Sequence, residues 1–411
     1  MSVRCLAAAA VLTLGGVRGA DAQRPLFADP AAEADRLVQQ LAAPDYQTRA
    51  LAAATLKEIG PAALPAIEAA KRSADPEVRA SALRLAVLLR RAQFGERIDA
   101  FLRDDEATLP GWREFAQLTA TGGPSRRVYA GVYRADHLLI DAAFPTHGKP
   151  PAHELAPLLE ERLDLLASCG RHGTSSSAAK QAVRVAMAAV LLAAARPDAV
   201  SDRSSQLLLQ TARTELTPAA SGSDATARAA RGVIAAWITS TRADGLYVLS
   251  QMLRLADELE LREAAPLALA IARGERTDQP AHPQFRATAL LILGRLGDAS
   301  HAAALAPLLD DRAVCATQAG RSRSGPPLLD VQLRDVAIAV TAHLSGKTPA
   351  EFGLEHATPS NDRLFVLHTL AFADDAARQR ALEQLKPGSP AGPPLSPGIR
   401  VAAGPTGGTT R

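Results

Sequence analysis

The stretch "SADPEVRASALRLAVLL", residues 73–89, decides how this chain is read. Its Asp-Pro pair marks a helix start. Aspartate accepts hydrogen bonds from the free amides of a first turn, and proline, which has no amide hydrogen to leave unpaired, suits the first helical position. The run that follows is largely apolar, with Arg79 and Arg84 set inside it. The same register recurs along the chain: an apolar residue or threonine, arginine, two residues, alanine. It stands as Thr48-Arg49 with Ala52 in "PDYQTRALAAATL", as Phe285-Arg286 with Ala289 in "HPQFRATALLILGRLG", and as Leu333-Arg334 with Ala337 in "DVQLRDVAIAVTAHL".

The upstream end repeats too. Asp45, Asp75 and Asp330 each fall four residues before the arginine, and His282 takes that position in the remaining copy. Each copy therefore marks the start of a second helix in a hairpin. Before it comes an amphipathic first helix: Leu37 and Leu41 before Asp45, Leu64 and Ile67 before Asp75, and Leu305, Leu308 and Leu309 before Asp330. Neither helix of such a pair can bury its apolar face alone, so pairs must stack. Alanine at Ala52, Ala82, Ala289 and Ala337 lets the helices approach closely.

These segments resemble HEAT repeats, in which "D-P-x-V-R-x-x-A" opens the second helix. The match is specific in residues 31–90 and 276–345, about a third of the chain. The resemblance implies an all-α fold, an α-solenoid in which antiparallel helix pairs stack into a right-handed superhelix whose concave face commonly binds other proteins. It also implies a polar ladder of repeated aspartates and arginines between neighbouring repeats. Asp45, Arg49, Asp75, Arg79, Arg286, Asp330 and Arg334 are then structural rather than catalytic.

Composition agrees with helices. Of 411 residues 47% are apolar but only 4% aromatic, and alanine and leucine dominate over the β-branched residues that favour sheets. A single core stops growing near roughly 250–300 residues, a limit that a repeat protein escapes because each unit touches only its neighbours. Residues 23–100 are expected to form N-terminal HEAT-like repeats, 101–275 divergent helical repeats, and 276–345 C-terminal repeats with an inserted loop, 311–328. Arg79 and Arg286 lie 207 residues apart, about five periods of roughly 40–47 residues. "RRVYAGVYRADHLLIDAAF" (126–144), "AAKQAVRVAMAAVLLAAA" (178–195) and "LYVLSQMLRLADEL" (246–259) fill that space as helices; a separate helical domain is the alternative. Residues 346–385 are expected to supply terminal capping helices. Residues 386–411, rich in proline and glycine, cannot bury a core and are expected to be a disordered tail.

The N-terminus, "MSVRCLAAAAVLTLGGVRGADAQ", has a positive Arg4, an apolar stretch too short to span a bilayer, and the small-x-small site Ala20-Asp21-Ala22. Residues 1–22 thus read as a secretory signal peptide, and the mature protein as exported, periplasmic or extracellular. Loss of Arg4, Arg18 and Asp21 takes the formal charge from +3 to +2. That near-neutral balance lacks the basic stripe of a nucleic-acid binder. No later segment reaches about 18 uncharged apolar residues, so no membrane span is expected after cleavage. Cys169 and Cys315 remain, 146 residues apart. They are read as separate buried thiols, with a disulfide as the alternative that an oxidising compartment allows.

Each candidate catalytic or metal motif in the sequence is incomplete. Ser177-x-x-Lys180 has the spacing of a serine acylase but none of its companion motifs, and a serine at a helix start is ordinarily a cap. "GRSRSG" (320–325) has Ser324 where a nucleophile elbow needs glycine. "SGKT" (345–348) has Thr341 where a phosphate-binding loop needs its upstream glycine. His147, His153, Cys169 and His172 occupy different loops and show a single paired short spacing, Cys169-x-x-His172, so no metal or cofactor is expected. Arg312, Arg321 and Arg323 form a small basic cluster in the insertion and are the candidate partner-binding residues. The expected function is that of a non-catalytic scaffold binding an unidentified protein. A HEAT-like enzyme such as a lyase, with its site in the cleft, and a purely structural spacer are the alternatives.

Overall fold

A computed structural model describes residues 29–119, 122–145, 152–171, 177–196, 200, 202–242, 245–276, 281–317 and 330–385. The segments expected to be a signal peptide (1–22) and a tail (386–411) lie outside them, as do Arg321 and Arg323. The described residues are mostly helical, with many helices packed against one another. They fall into two compact units, one within 1–150 and 172–189, the other within 151–171 and 190–411.

The first unit opens with two hairpins. Helices α1 (Pro30–Gln40) and α2 (Tyr46–Ile59) form one, α3 (Leu64–Ala70) and α4 (Pro76–Arg103) the other. Each helix starts where the sequence supplies a cap or a proline: the Asp29 carboxylate accepts from the amides of Ala31 and Ala32, both at 3.1 Å, and Pro30 and Pro76 stand at first positions. Leu37, Leu41, Leu56, Ile67, Leu85 and Leu89 meet in one core, within which Ala52 and Ala82 are fully buried. Burying each large aliphatic side chain contributes about 1.5–3 kcal/mol.

Helix α4 runs on to Arg103 and ends against α5 (Trp112–Thr119), α6 (Gly123–Ala135) and α7 (His137–Ala143). The expected helix over 126–144 is thus two, broken at Asp136, whose side chain caps α7 by accepting from the Leu139 amide. Arg126 of α6 closes the end of α4. Buried beneath Phe101 and Trp112, its guanidinium donates to the carbonyl of Phe101 in the last turn of α4 and to those of Asp104, Asp105 and Ala107 just beyond it. Phe101, Trp112, Phe115 and Tyr129 pack ring on ring around it. Gly111, at φ +74°, turns the chain under the Tyr129 hydroxyl and the Phe144 ring.

Helix α8 (Ala152–Arg171) belongs to the second unit, and α9 (Ser177–Ala194) divides between the two. In the second unit α8 packs on α10 (Asp202–Glu215), followed by α11 (Thr217–Ala220), α12 (Ala225–Ser240), α13 (Leu246–Glu258), α14 (Ala265–Arg273), α15 (Pro283–Leu296) and α16 (Leu333–Leu344). The stripe Leu249, Met252, Leu253 and Ala256 on α13 is buried. On α15, Gly294 faces Leu364 and Val340, and a Cβ there would meet Val340 Cγ1 at 3.3 Å; glycine permits the close approach of α16.

Three further features depart from the sequence expectation. Between α15 and α16 the leucines 305, 308 and 309 lie on a 3₁₀ segment, Ala303–Asp310, because in an α-helix the Pro307 ring would clash with the Ala303 carbonyl. The insertion is entered and left through an antiparallel ribbon, β1 (Val314–Ala316) with β2 (Val331–Gln332), a pairing invisible in so short a stretch. And residues 361–372, expected within a capping helix, make a tight turn closed by a Pro359–Phe365 bridge and a 3₁₀ turn instead. The terminal helix α17 starts only at Asp375 and ends at Leu385. It is tied to α16 by Arg378 and Asp335, both buried.

Candidate interaction site

The four copies of the sequence motif do not all fold alike. Asp45 caps α2 by accepting from the Thr48 amide at 2.7 Å, and that bond holds its carboxyl below the usual value. Asp75 caps α4 through the amides of Glu77 and Val78, and the His282 ring caps α15 through Gln284. Each arginine four residues on turns back toward its own hairpin. Nη1 of Arg49 donates to the carbonyls of Ala43 and Pro44 (2.8 and 2.9 Å), and Nη1 of Arg79 to those of Ser73 and Ala74 (both 2.7 Å). Arg286 reaches the Ala272 carbonyl at 2.7 Å.

Between hairpins the acid that meets the arginine is not the capping aspartate. Arg49 Nε lies 3.0 Å from Glu77 Oε1, and Arg286 Nη1 lies 2.8 Å from Asp311 Oδ2. A capping carboxylate is already committed to its own first turn, so the neighbouring carboxylate takes the charge.

Asp330 is a correction. It does not cap α16: the ribbon keeps Val331 and Gln332 extended, the helix begins at Leu333, and Gln332 and Asp335 form its capping box. Arg334 consequently sits in the first turn, with its Nε on the Gln332 side chain, while the Asp330 carbonyl accepts from Arg378.

One copy escaped notice. Asp224 caps α12 through the Ala227 amide at 2.7 Å, and Arg228, four residues on, donates to the Ser223 carbonyl at 2.7 Å. Arg231 takes the Gly222 carbonyl, which in the other copies is held by the same arginine. The legible signal was Asp-x-x-x-Arg in "DATAR"; Arg231 stands where the motif has alanine and hid it.

Of the insertion's cluster, Arg312 is exposed on the described side of the ribbon. Cys315 beside it is buried and free, its thiol donating to the Val331 carbonyl at 3.3 Å; the side chain of Cys169, the partner in the disulfide alternative, lies outside those described. Burial pushes that thiol up to about 12. A shallow groove of about 420 Å³ opens next to Ala316, lined by Gln284, Ser360, Asp362, Arg363 and His368. The Ser360 hydroxyl accepts from the Arg363 amide and so closes its own turn. Asp298, Ser300 and His301 have the composition of a catalytic triad, yet serine and aspartate both address the same ring nitrogen in a capping box. Among the described residues no three His, Cys, Asp or Glu converge as metal ligands, and no helix is long and apolar enough to cross a membrane.

The feature least expected of a water-exposed surface lies on the first two hairpins. Leu83 and Val87, one turn apart on α4, are 53% and 67% exposed, with Leu88 beside them; Leu51 on α2 is 69% exposed. The opening stretch announced this. Ala82, Leu85, Ala86 and Leu89 already supply a complete buried stripe, so Leu83, Val87 and Leu88 are apolar in excess of what the core takes.

Comparison with protein-family models, with curated proteins and with solved structures gives no match to this chain.

Proposed function

We propose that the chain is an exported, non-catalytic scaffold that binds another protein through a HEAT-like α-solenoid. The solenoid reading is supported by the recurrent hairpin device: a cap and an arginine at +4 that closes the preceding loop, at Asp45/Arg49, Asp75/Arg79 and Asp224/Arg228. Binding is carried by the exposed apolar arc of α4, Leu83, Val87 and Leu88. Large aliphatic side chains clustered on one helix face lower the free energy of a complex and raise that of the free chain in water. A bare spacer has no use for them.

Export follows from the signal-like residues 1–22 and would place the mature chain, beginning at Gln23, in the periplasm or outside the cell. The test has two arms. N-terminal sequencing of the chain recovered from the cell envelope fraction should begin at Gln23; a cytoplasmic, uncut chain overturns export. Cross-linked pulldown from that fraction should capture one partner with the intact chain and lose it with Val87→Asp, both variants giving the same circular dichroism. Equal capture by both, or none by either, overturns the binding face.

A further inference from the structure

The scaffold reading, on which this step rests, leaves the partner's chemistry open, and the charges around the apolar arc narrow it. Helical spacing sets Leu83, Arg84, Val87, Leu88 and Arg91 on one exposed side of α4, over about 12 Å at 1.5 Å per residue. The first turns of α2 and α4 lie together, since Arg49 Nε is 3.0 Å from Glu77 Oε1. Aligned on those two arginines, the helices bury the same arc, Ala52 and Leu56 matching Ala82 and Ala86, and expose the same arc, Ala54, Lys57 and Glu58 matching Arg84, Val87 and Leu88.

The carboxylates near this side are mostly engaged elsewhere. Glu77 is held by Arg49, and Glu68 by Arg90 and Lys71. That leaves Lys57, Arg84 and Arg91 against Glu58 within the exposed arc, and among the described residues Arg84 Nη2 donates to the Ser81 hydroxyl at 3.1 Å. The arc is therefore apolar along its middle and cationic beside it.

We infer that this face takes an acidic amphipathic helix of about three turns from a partner protein, its leucine-type side chains on Leu83 and Val87 and its carboxylates on Arg84, Arg91 and Lys57. The chain's own residues 386–411 are a poor occupant, because they carry Lys386, Arg400 and Arg411 and no aspartate or glutamate.

The probe is a fluorescent synthetic helix with leucines at i, i+4 and i+7 and glutamates between, titrated against the full chain by anisotropy; its control has lysine for every glutamate. The acidic peptide binds, more weakly as salt rises, roughly tenfold more weakly to the double variant Arg84→Glu/Arg91→Glu, and not to Val87→Asp. All three positions are exposed, and circular dichroism confirms that the variants fold. Absence of binding, equal binding of the lysine peptide, or indifference to the charge reversals overturns the inference. A photo-cross-linker at position 87 separates the two levels. A native partner with no acidic helix at the cross-link, or a second copy of this chain there, overturns the acidic-helix inference while leaving the face a binding face; no cross-link at all removes the scaffold reading with it.

Discussion

Arg378 and Asp335 form a two-point ion pair shielded from water: Nε meets Oδ1 at 2.7 Å, Nη2 meets Oδ2 at 2.9 Å, and the residues are 2% and 0% exposed. The pair pins α17 to α16. Two charges out of water attract strongly, but each left alone is very costly, so the effect of mutation depends on which partner remains. Arg378→Ala strands the Asp335 carboxylate and should lower the stability of the second unit by about 3–5 kcal/mol in urea unfolding, whereas Arg378→Met combined with Asp335→Leu should lose much less. Similar losses in the two variants would show that desolvation does not govern this contact.

Gly111 should tolerate no side chain. At φ +74° an added Cβ would lie 2.7 Å from the Tyr129 hydroxyl and 2.9 Å from Phe144 Cδ2, both on buried rings. Gly111→Ala combines left-handed strain with overpacking and is expected to cost about 2–4 kcal/mol, read as a fall in the thermal midpoint. Gly274 sits in the left-handed region at φ +75° with open space around it, so Gly274→Ala should cost only the strain, about 1–2 kcal/mol. Equal losses at the two glycines would refute the packing argument.

Tyr129 and Tyr133 should resist alkali until the first unit opens. Burial raises both above the ordinary 10.0, and Tyr133 also donates to Asp141 at 2.8 Å. Groups that hold their protons more tightly when folded contribute stability that is complete below pH about 10 and lost as pH rises beyond it. Absorbance after a rapid alkaline jump should show these two ionising only with the slow loss of helix signal, assigned by Tyr129→Phe and Tyr133→Phe. Immediate ionisation of every tyrosine would contradict the buried cluster.

Cys315 should be chemically silent at neutral pH. The thiolate is the nucleophile, and a thiol pushed up to about 12 from 9.0 yields almost none of it. Iodoacetamide should leave the Cys315 peptide unmodified in the native chain and modify it fully in urea, by mass spectrometry. Native labelling would mean that the ribbon between Val314 and Gln332 opens.

Arg228 should behave as Arg49 and Arg79 do. Replacing any one of the three by alanine removes charge-assisted bonds to loop carbonyls, worth about 1–2 kcal/mol, and should speed amide exchange in the loop just ahead of its helix. No change in exchange at residues 221–226 in Arg228→Ala would separate that hairpin from the others.

The helices were legible because their signals are local. Asp75 before Pro76, the alanines at Ala52 and Ala82, and the stripe on α13 each act within a few residues of the backbone they shape. What escaped depends on distant partners. Arg126 reads as one more exposed cation until α6 lays it over the end of α4, and Asp330 reads as a cap until β2 withdraws the helix start by two residues. The exposed face was half legible: the surplus leucines of the opening stretch stand in plain sequence, but their exposure depends on where α4 stops touching its neighbours.

The ribbon of β1 and β2 has a consequence for how this chain tolerates change. Its own cross-strand hydrogen bonds, with Cys315 and Val331 buried at the joint, hold together the two ends of the connection between α15 and α16. Loop closure grows costlier only with the logarithm of length once the ends are held. A change in the length of chain between 317 and 330 should therefore alter the closure of the ribbon only weakly. That gives the molecule a socket, two fixed ends between which one segment can be exchanged for another over generations, or by design.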